Sequence, residues 1–527
     1  MTTTTTPATP AATTHVAARR VPLILTGCLT AAVIPLSIAG PAVAVPSINH
    51  ALGGSTAELT WIINAYLVTY GSATPAAGSL ADTYGRKRTW LGGMLVFALV
   101  TAAIPFMPSV LWLDILRLIQ GLGAAAAFAG AMAALTQAFD GHARTRVFSL
   151  IGTTFGAGAA FGPFLAGVLI DSAGWHWVFL LPAAIAALVS VMVALYASES
   201  RDPAATGLDW PGALSFTAGL AVFTYGIVLV PEKGWGHASV LSALAGAAVL
   251  LGVFVFVERR RDKPLLDLSL FANVRFVGVQ VLAVAPAYTY VVLLIVLPAR
   301  FIGVEGHGAL EAGRMMIALS APLLVVPFLA GQLARWINVG VLSGIGLVIA
   351  AAGLAWLGVS VHDGAHDGRL FAMLVIGAGI GLPWGLMDGL AVSVVPKERA
   401  GMAAGIFNAV RLAGDGLALA AVSVMLSARI GAALATSARD GVAGLAPGGR
   451  LVEVANRLAM SDLRNAMAGV PETARATLLR AYESAFGFQL FVLAAAAAAT
   501  ALLVVLLLGK GAFRRRASGA MTRNEAQ

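Results

Sequence analysis

Charge is scarce in this chain. Only 11% of its 527 residues are Asp, Glu, Lys or Arg, less than half of the roughly 25% found in soluble globular proteins. A soluble fold of this length is thereby excluded. Cysteine is nearly absent as well. Cys28 stands alone inside an apolar stretch, so it has no internal disulfide partner. No group of His, Cys or acids has metal-ligand spacing, so neither a metal centre nor a catalytic constellation is expected. A membrane-embedded enzyme would need such a group. Strict alternation of apolar and polar residues is missing too, which excludes a membrane β-barrel.

What the chain has instead is apolar residues: 59% of the total, with a mean hydropathy of +0.86. They come in runs of about 20, the length that crosses a bilayer as a helix. A helix also satisfies its own backbone hydrogen bonds in lipid. Fourteen spans are predicted, at about residues 22–45, 58–80, 89–107, 110–137, 147–170, 175–197, 209–230, 239–257, 275–298, 312–333, 340–360, 370–394, 402–427 and 485–508. Cations test this count. Arg19, Arg20, Arg86, Lys87, Arg88, Arg144, Arg146, Arg201, the 259–263 run, Arg275, Arg335, Lys397, Arg399 and the C-terminal cations all fall on one side of the alternation. The short loops of the other side hold Lys233, Arg300 and Arg369. By the positive-inside rule the rich side is cytoplasmic, and both termini lie there. The net charge of +9 is therefore assigned to cytoplasmic loops rather than to nucleic-acid binding.

The expected organisation is a disordered tail (1–20), a first six-helix half (21–200), two inserted helices (201–262), a second six-helix half (263–510) and a cytoplasmic tail (511–527). Arg19-Arg20 before an apolar run, with Ala42-Val43-Ala44 after it, imitates a signal peptide. The run is long for that role, and the span count needs it retained. The second half includes a long outside loop, 428–484. There Leu451, Val454, Ala455, Leu458, Ala459, Leu463 and Met467 recur at helical spacing. This fits either amphipathic helices on the outer surface or an ordered loop packed on the bundle.

The second and third spans are joined by Gly78-Ser79-Leu80-Ala81-Asp82-Thr83-Tyr84-Gly85-Arg86-Lys87-Arg88. Three consecutive cations follow an acid that stands between two glycines. Gly331-x-Leu333-Ala334-Arg335, at the end of the tenth span, echoes its first part. The placement suits two repeated halves with substrate bound between them.

These residues resemble the major facilitator superfamily, in particular its fourteen-helix drug:proton antiporter branch, over nearly all of the chain beyond the N-terminal tail. The stretch 78–88 is similar to the superfamily's signature for the turn between helices 2 and 3. The resemblance implies an all-α polytopic membrane protein of two six-helix halves plus two inserted helices. It also implies a gate latch made by Gly78, Asp82, Gly85, Arg86 and Arg88. Leu113 to Ala125 resembles the second motif, whose Arg, here Arg117, is associated with proton coupling; Asp114 is a possible partner three residues away. Gly152, Gly156, Gly158, Gly162-Pro163 and Gly167 resemble the antiporter motif, with Ala166 replacing one glycine. Trp175-His176-Trp177 resembles the start of helix 6, and His176 reads as an interfacial anchor. One departure matters: Ser37 stands where this branch often carries a titratable Asp in helix 1.

The second half holds other acids. Asn408, Arg411 and Asp415 share one helix face. Arg411 is expected to hold Asp415 ionised. Asp388, with no partner in its own helix, is the candidate for reversible protonation, coupled to Arg117, Arg411 and Asp415. Silent pairing of Asp388 with Arg411 is the alternative. Tyr288, Tyr290, Trp384 and Asn408 are candidate cavity residues. The resulting expectation is a monomeric, proton-coupled exporter of small amphiphilic compounds, drugs or an endogenous metabolite, in a bacterial inner membrane. It would need no cofactor beyond the proton gradient. An importer of the same superfamily is the alternative.

Overall fold

The computed structural model describes residues 10–54, 56–201, 210–234, 236–260, 268–362, 366–396, 400–439, 454–455, 458–459 and 472–509. Everything regular among them is helical. The helices are α1 (Pro10–Leu52), α2 (Thr56–Tyr84), α3 (Arg86–Ala103), α4 (Val110–Ala138), α5 (Gly141–Ala173), α6 (Trp177–Tyr196), α7 (Trp210–Lys233) and α8 (Ala238–Glu258). A second series follows: α9 (Val274–Pro286), α10 (Val292–Gly303), α11 (Ala309–Ser320), α12 (Pro322–Leu333), α13 (Val339–His362), α14 (His366–Ser393), α15 (Ala400–Arg439) and α16 (Glu472–Leu508). A π-helical turn, Ala287–Val291, joins α9 to α10 into one span. Pro286, just before it, lacks the N–H that a regular helix would use there. Helices α11 and α12 likewise form one span, broken at Pro322.

Eleven helices among the described residues are long and apolar enough to cross a membrane, or twelve if the bent α5 is one span. Helices α2 and α7 occupy two further expected spans and stand outside that number. The bend in α5 is 43°, between Ala159 and Phe161. Pro163 accounts for it, because it removes the backbone bond to the carbonyl of Ala159.

Helices α1 to α6 pack on one another, as do α9 to α16. The two sets meet where α2 crosses α15 and where α5 crosses α12 and α14. The α7–α8 pair lies against α2 and α15. Small residues make the close crossings possible, since packing rather than apolar transfer joins helices in lipid. A Cβ at Gly405 would lie 2.7 Å from Cα of Pro75, and one at Gly152 would lie 3.0 Å from the carbonyl oxygen of Trp384.

The ends of α2, α3, α5 and α12 that carry Arg86, Arg144 and Arg335 define a basic face. Three described hydrogen bonds join the two sets, all nearer this face. Asn408 Nδ2 donates to Thr74 Oγ1 (3.2 Å), Ser149 Oγ to the Gly385 carbonyl (2.7 Å), and Arg144 Nη2 to the Val392 carbonyl. Toward the opposite face, a Cβ at Gly167 on α5 or Gly313 on α11 would meet nothing within 4 Å.

Of the 428–484 segment, α15 extends through Arg439 and α16 begins at Glu472. Val454, Ala455 and Leu458 are buried in the main core, and Ala459 packs against it. Leu451, Leu463 and Met467 lie outside the described residues.

Candidate functional site

Among the described residues, two clusters of buried polar side chains lie within the spans, at different depths. Nearer the face opposite the basic one, Arg117 of α4 is completely buried. Its guanidinium donates to the Ile62 carbonyl (2.6 Å), the Ser37 carbonyl (3.0 Å) and Gln120 Oε1 (2.6 Å). It also lies over the Tyr66 ring, 4.5 Å from the centroid. Gln120 in turn donates to Thr101 Oγ1 (2.7 Å). Arg117 thus ties α1, α2, α3 and α4 together. Its described hydrogen bonds, from Nε and Nη1, go to these acceptors rather than to Asp114, the partner expected from spacing, and Nη2 makes none. Asp114 is buried beside it, with Oδ1 making no hydrogen bond. Ser37 bonds the Val33 carbonyl through its hydroxyl. At the position where an acid would stand, it is the backbone that serves Arg117.

The second cluster lies closer to the basic face. Arg411 Nη1 is 3.6 Å from Asp388 Oδ1, and both groups are buried. Arg411 Nη2 donates to Asn408 Oδ1 (2.7 Å). Its guanidinium sits over Phe155 of α5 (4.5 Å) and beside Phe407 (5.8 Å). This is the alternative pairing: Asp388 has Arg411 opposite it, and the Asp415 Oδ1 atom is buried without a hydrogen bond. The reason is where α14 lies. Side chains lean toward the N-terminus of their helix, which brings Arg411 onto Asn408; the same lean would bring Asp415 back toward Arg411, so it permits that pairing and the position of α14 decides against it. Asp388, on the neighbouring α14, falls within reach of Arg411.

The four candidate cavity residues divide. Positions two apart on a helix point to opposite sides. Tyr288 therefore donates outward, to Thr500 Oγ1 on α16, whereas Tyr290 turns inward. Tyr290 shares a hydrogen bond with Ser320 Oγ (3.1 Å) and meets Trp384 edge to face at 5.4 Å. Asn408 bridges Arg411 and Thr74.

The signature turn is built around Gly85. Its φ of +121° is open to glycine, and a Cβ there would stand 2.6 Å from Glu199 Oε1. Asp82 accepts two hydrogen bonds from Arg86, at 3.0 and 2.8 Å. Glu199, just past α6, caps the start of α3 by accepting from Lys87 N (3.2 Å), and it lies 3.6 Å from Arg88. The position of Glu199 went unread in the sequence, because an acid past a helix end carries no motif. In the echo, Arg335 is exposed and lies beside Trp336 (5.0 Å).

The antiporter-motif glycines serve two interfaces. Gly158 and Gly162 face α1, where a Cβ would overlap the Ala32 carbonyl or come 2.7 Å from the Ala39 Cβ. Gly152 and Gly156 face α14 and α12. We expect Gly158→Leu to cost about 1–3 kcal/mol by overpacking and Gly167→Ala to stay within about 0.5 kcal/mol. Thermal unfolding of the purified variants checks both.

Arg300 and Arg369, counted from sequence as loop cations, are buried at helix ends and converge on Glu305. His307 lies 3.5 Å from Glu305 and 3.0 Å from Glu311. His176 stacks on Trp175 at 4.1 Å.

Residues 27–419 match the Major Facilitator Superfamily. The chain belongs to that superfamily of transporters. Multidrug resistance protein Stp of Mycobacterium tuberculosis is 30% identical over 394 residues, covering 74% of this chain and 73% of that protein. Drug efflux pump JefA of the same organism is 31% identical over 402 residues, covering 76% and 78%. These relatives place this superfamily member in the drug-efflux branch. The solved structure of the proton:xylose symporter XylE aligns over 92% of this chain and 95% of that one, with a TM-score of 0.59 at 15% identity, and shares the fold.

Proposed function

We propose that this superfamily member is a monomeric, proton-coupled exporter of small amphiphilic compounds, working by alternating access between two six-helix halves. It would lie in a bacterial inner membrane as fourteen spans, with the basic face and both termini in the cytoplasm. The names of its efflux relatives support export, and the cation bias supports the orientation. The inter-half hydrogen bonds near the basic face would then make the described state closed inward.

The observation that carries proton coupling is one arginine between two acids. Arg411 faces Asp388 at 3.6 Å while the Asp415 Oδ1 lacks a partner. A proton entering from outside would neutralise Asp388, free Arg411 to turn to Asp415, and loosen the Arg411–Asn408–Thr74 chain that joins α15 to α2. Such a bistable contact is what a transport cycle requires. Asp82, Arg86 and the rest of the signature turn would hold the inward gate. Arg117 would hold the first half rigid while the gate moves.

The test is an export assay in a pump-deficient host with a diverse compound panel. We expect accumulation of at least one amphiphilic compound to fall on expression and to recover when an uncoupler collapses the proton gradient. Export indifferent to the uncoupler, or net uptake in right-side-out vesicles, would overturn the reading.

A further inference from the structure

The two buried polar clusters are joined by a continuous row of rings. Arg117 lies over Tyr66, and Tyr66 stacks on Tyr70 (5.7 Å). Tyr70 meets Phe128 edge to face (6.3 Å), Phe128 meets Phe155 (6.0 Å), and Phe155 lies under Arg411. The row begins on α2 and α4 and ends on α5 at the crossing with α14 and α15. On the exporter reading, these are surfaces that would part when the halves rock.

Ring packing alone would be ordinary. The polar atoms beside it are not. Among the described residues, two donors buried along this junction make no hydrogen bond, Trp384 Nε1 and the Tyr70 hydroxyl, and a third, Arg411 Nη1, has only Asp388 at 3.6 Å, beyond hydrogen-bond reach. Trp384 is 3% exposed and Tyr70 wholly buried. Tyr70 faces Arg411 and Asn408 without hydrogen-bonding geometry to either. Buried Tyr and Trp normally find partners, and an unpaired polar group in lipid is costly. Trp384 and Arg411 can only donate, so what would satisfy them is an acceptor oxygen. The indole edge of Trp384 lies against α5 next to Phe155, since a Cβ at Gly156 would be 3.5 Å from Nε1.

Charge points the same way. Asp388 already has Arg411 opposite it. Asp415 Oδ1 is unpaired, but it lies four residues from Arg411, whose positive charge opposes a cation approaching it. Arg117, at the other end of the row, is held by carbonyls and an amide.

Resting on the exporter reading, we propose that the transported class is flat aromatic compounds bearing carbonyl or phenol oxygens, uncharged or anionic. They would seat on the Tyr66–Phe155 row with their oxygens accepting from Trp384, Arg411 and Tyr70. Planar cations would be disfavoured.

Two probes of similar shape and opposite chemistry test this on the full chain in lipid nanodiscs: 1,8-dihydroxyanthraquinone and ethidium. Equilibrium dialysis should give tighter binding of the anthraquinone by at least about tenfold. Trp384→Phe keeps the ring and removes the donor. It should weaken the anthraquinone about fivefold, the scale of one hydrogen bond, and leave ethidium within about twofold. Ethidium bound equally or more tightly by the unaltered chain, no binding of either probe, or a Trp384→Phe effect absent or equal for both would overturn the proposal. The unaltered-chain comparison holds whether or not the variant folds. Uncoupler-sensitive export combined with an ethidium preference would sink the substrate class alone. Anthraquinone binding with no uncoupler-sensitive export of any compound would sink the exporter reading alone.

Discussion

Asp388→Asn is expected to cut uncoupler-sensitive export at least about tenfold, because the proton step loses a charge pairing worth about 1.4 kcal/mol or more. The protein should stay folded, since Asp415 remains four residues from Arg411 to neutralise it. The double variant Asp388→Asn, Asp415→Asn removes both carboxylates. Arg411 would then be buried at 3% exposure with no carboxylate beside it, only Asn408 and the Tyr70, Phe155 and Phe407 rings. Stranding a buried charge costs about 3–5 kcal/mol. The double variant should therefore lose far more stability than the sum of the singles, which a double-mutant cycle on thermal unfolding measures. Wild-type coupling in Asp388→Asn would remove Asp388 from the proton path. Additive stability losses would show that Arg411 does not exchange between the two acids.

Arg117→Ala is the second large effect. The side chain makes hydrogen bonds to two backbone carbonyls and one amide on three helices. Each hydrogen bond to a charged group is worth about 1.5–3 kcal/mol, and the truncation also leaves a cavity between α1, α2 and α4. We expect a loss of about 3–5 kcal/mol and no measurable transport. Arg117→Lys should recover little. An ammonium is a single point of charge, whereas the planar fork reaches Ile62, Ser37 and Gln120 together. A lysine variant with full stability and full export would show that charge alone is needed there. Asp114→Asn separates the two readings of this cluster. Because Arg117 donates its described hydrogen bonds to carbonyls and an amide oxygen, that variant should stay near wild-type stability in the same unfolding measurement.

The site was partly legible before any coordinates. Arg117, Asp388, Arg411 and Asp415 stood out because charge inside an apolar span is rare and costly. Their partners did not. Arg117 is served by the carbonyls of Ile62 and Ser37, and a backbone carbonyl leaves no mark in a sequence, since every residue has one. Arg411 looked like the partner of Asp415 because four residues bring two positions onto one helix face. The nearness of α14 gave it to Asp388 instead. Tyr288 and Tyr290 looked equivalent until the turn after Pro286 pointed them to opposite sides. Tyr70 and Thr74 carry no such signal, since a Tyr or Thr within an apolar span is ordinary. Only the crossing of α2 with α15, tight enough for Gly405 to face Pro75, makes them neighbours of Asn408 and Arg411.

The amino-acid order by itself determined that this is an all-helical membrane protein, and it placed the signature turn that marks its superfamily. Both depend on composition and local spacing: lipid demands long apolar helices, and Gly85 with its cations is a local event. The tertiary structure decided which charges meet, which glycines face which neighbour, and that a row of rings runs from Arg117 to Arg411. Those depend on the register and rotation of helices far apart in the chain. Such quantities are set by side-chain packing across interfaces, and no stretch of sequence carries them alone.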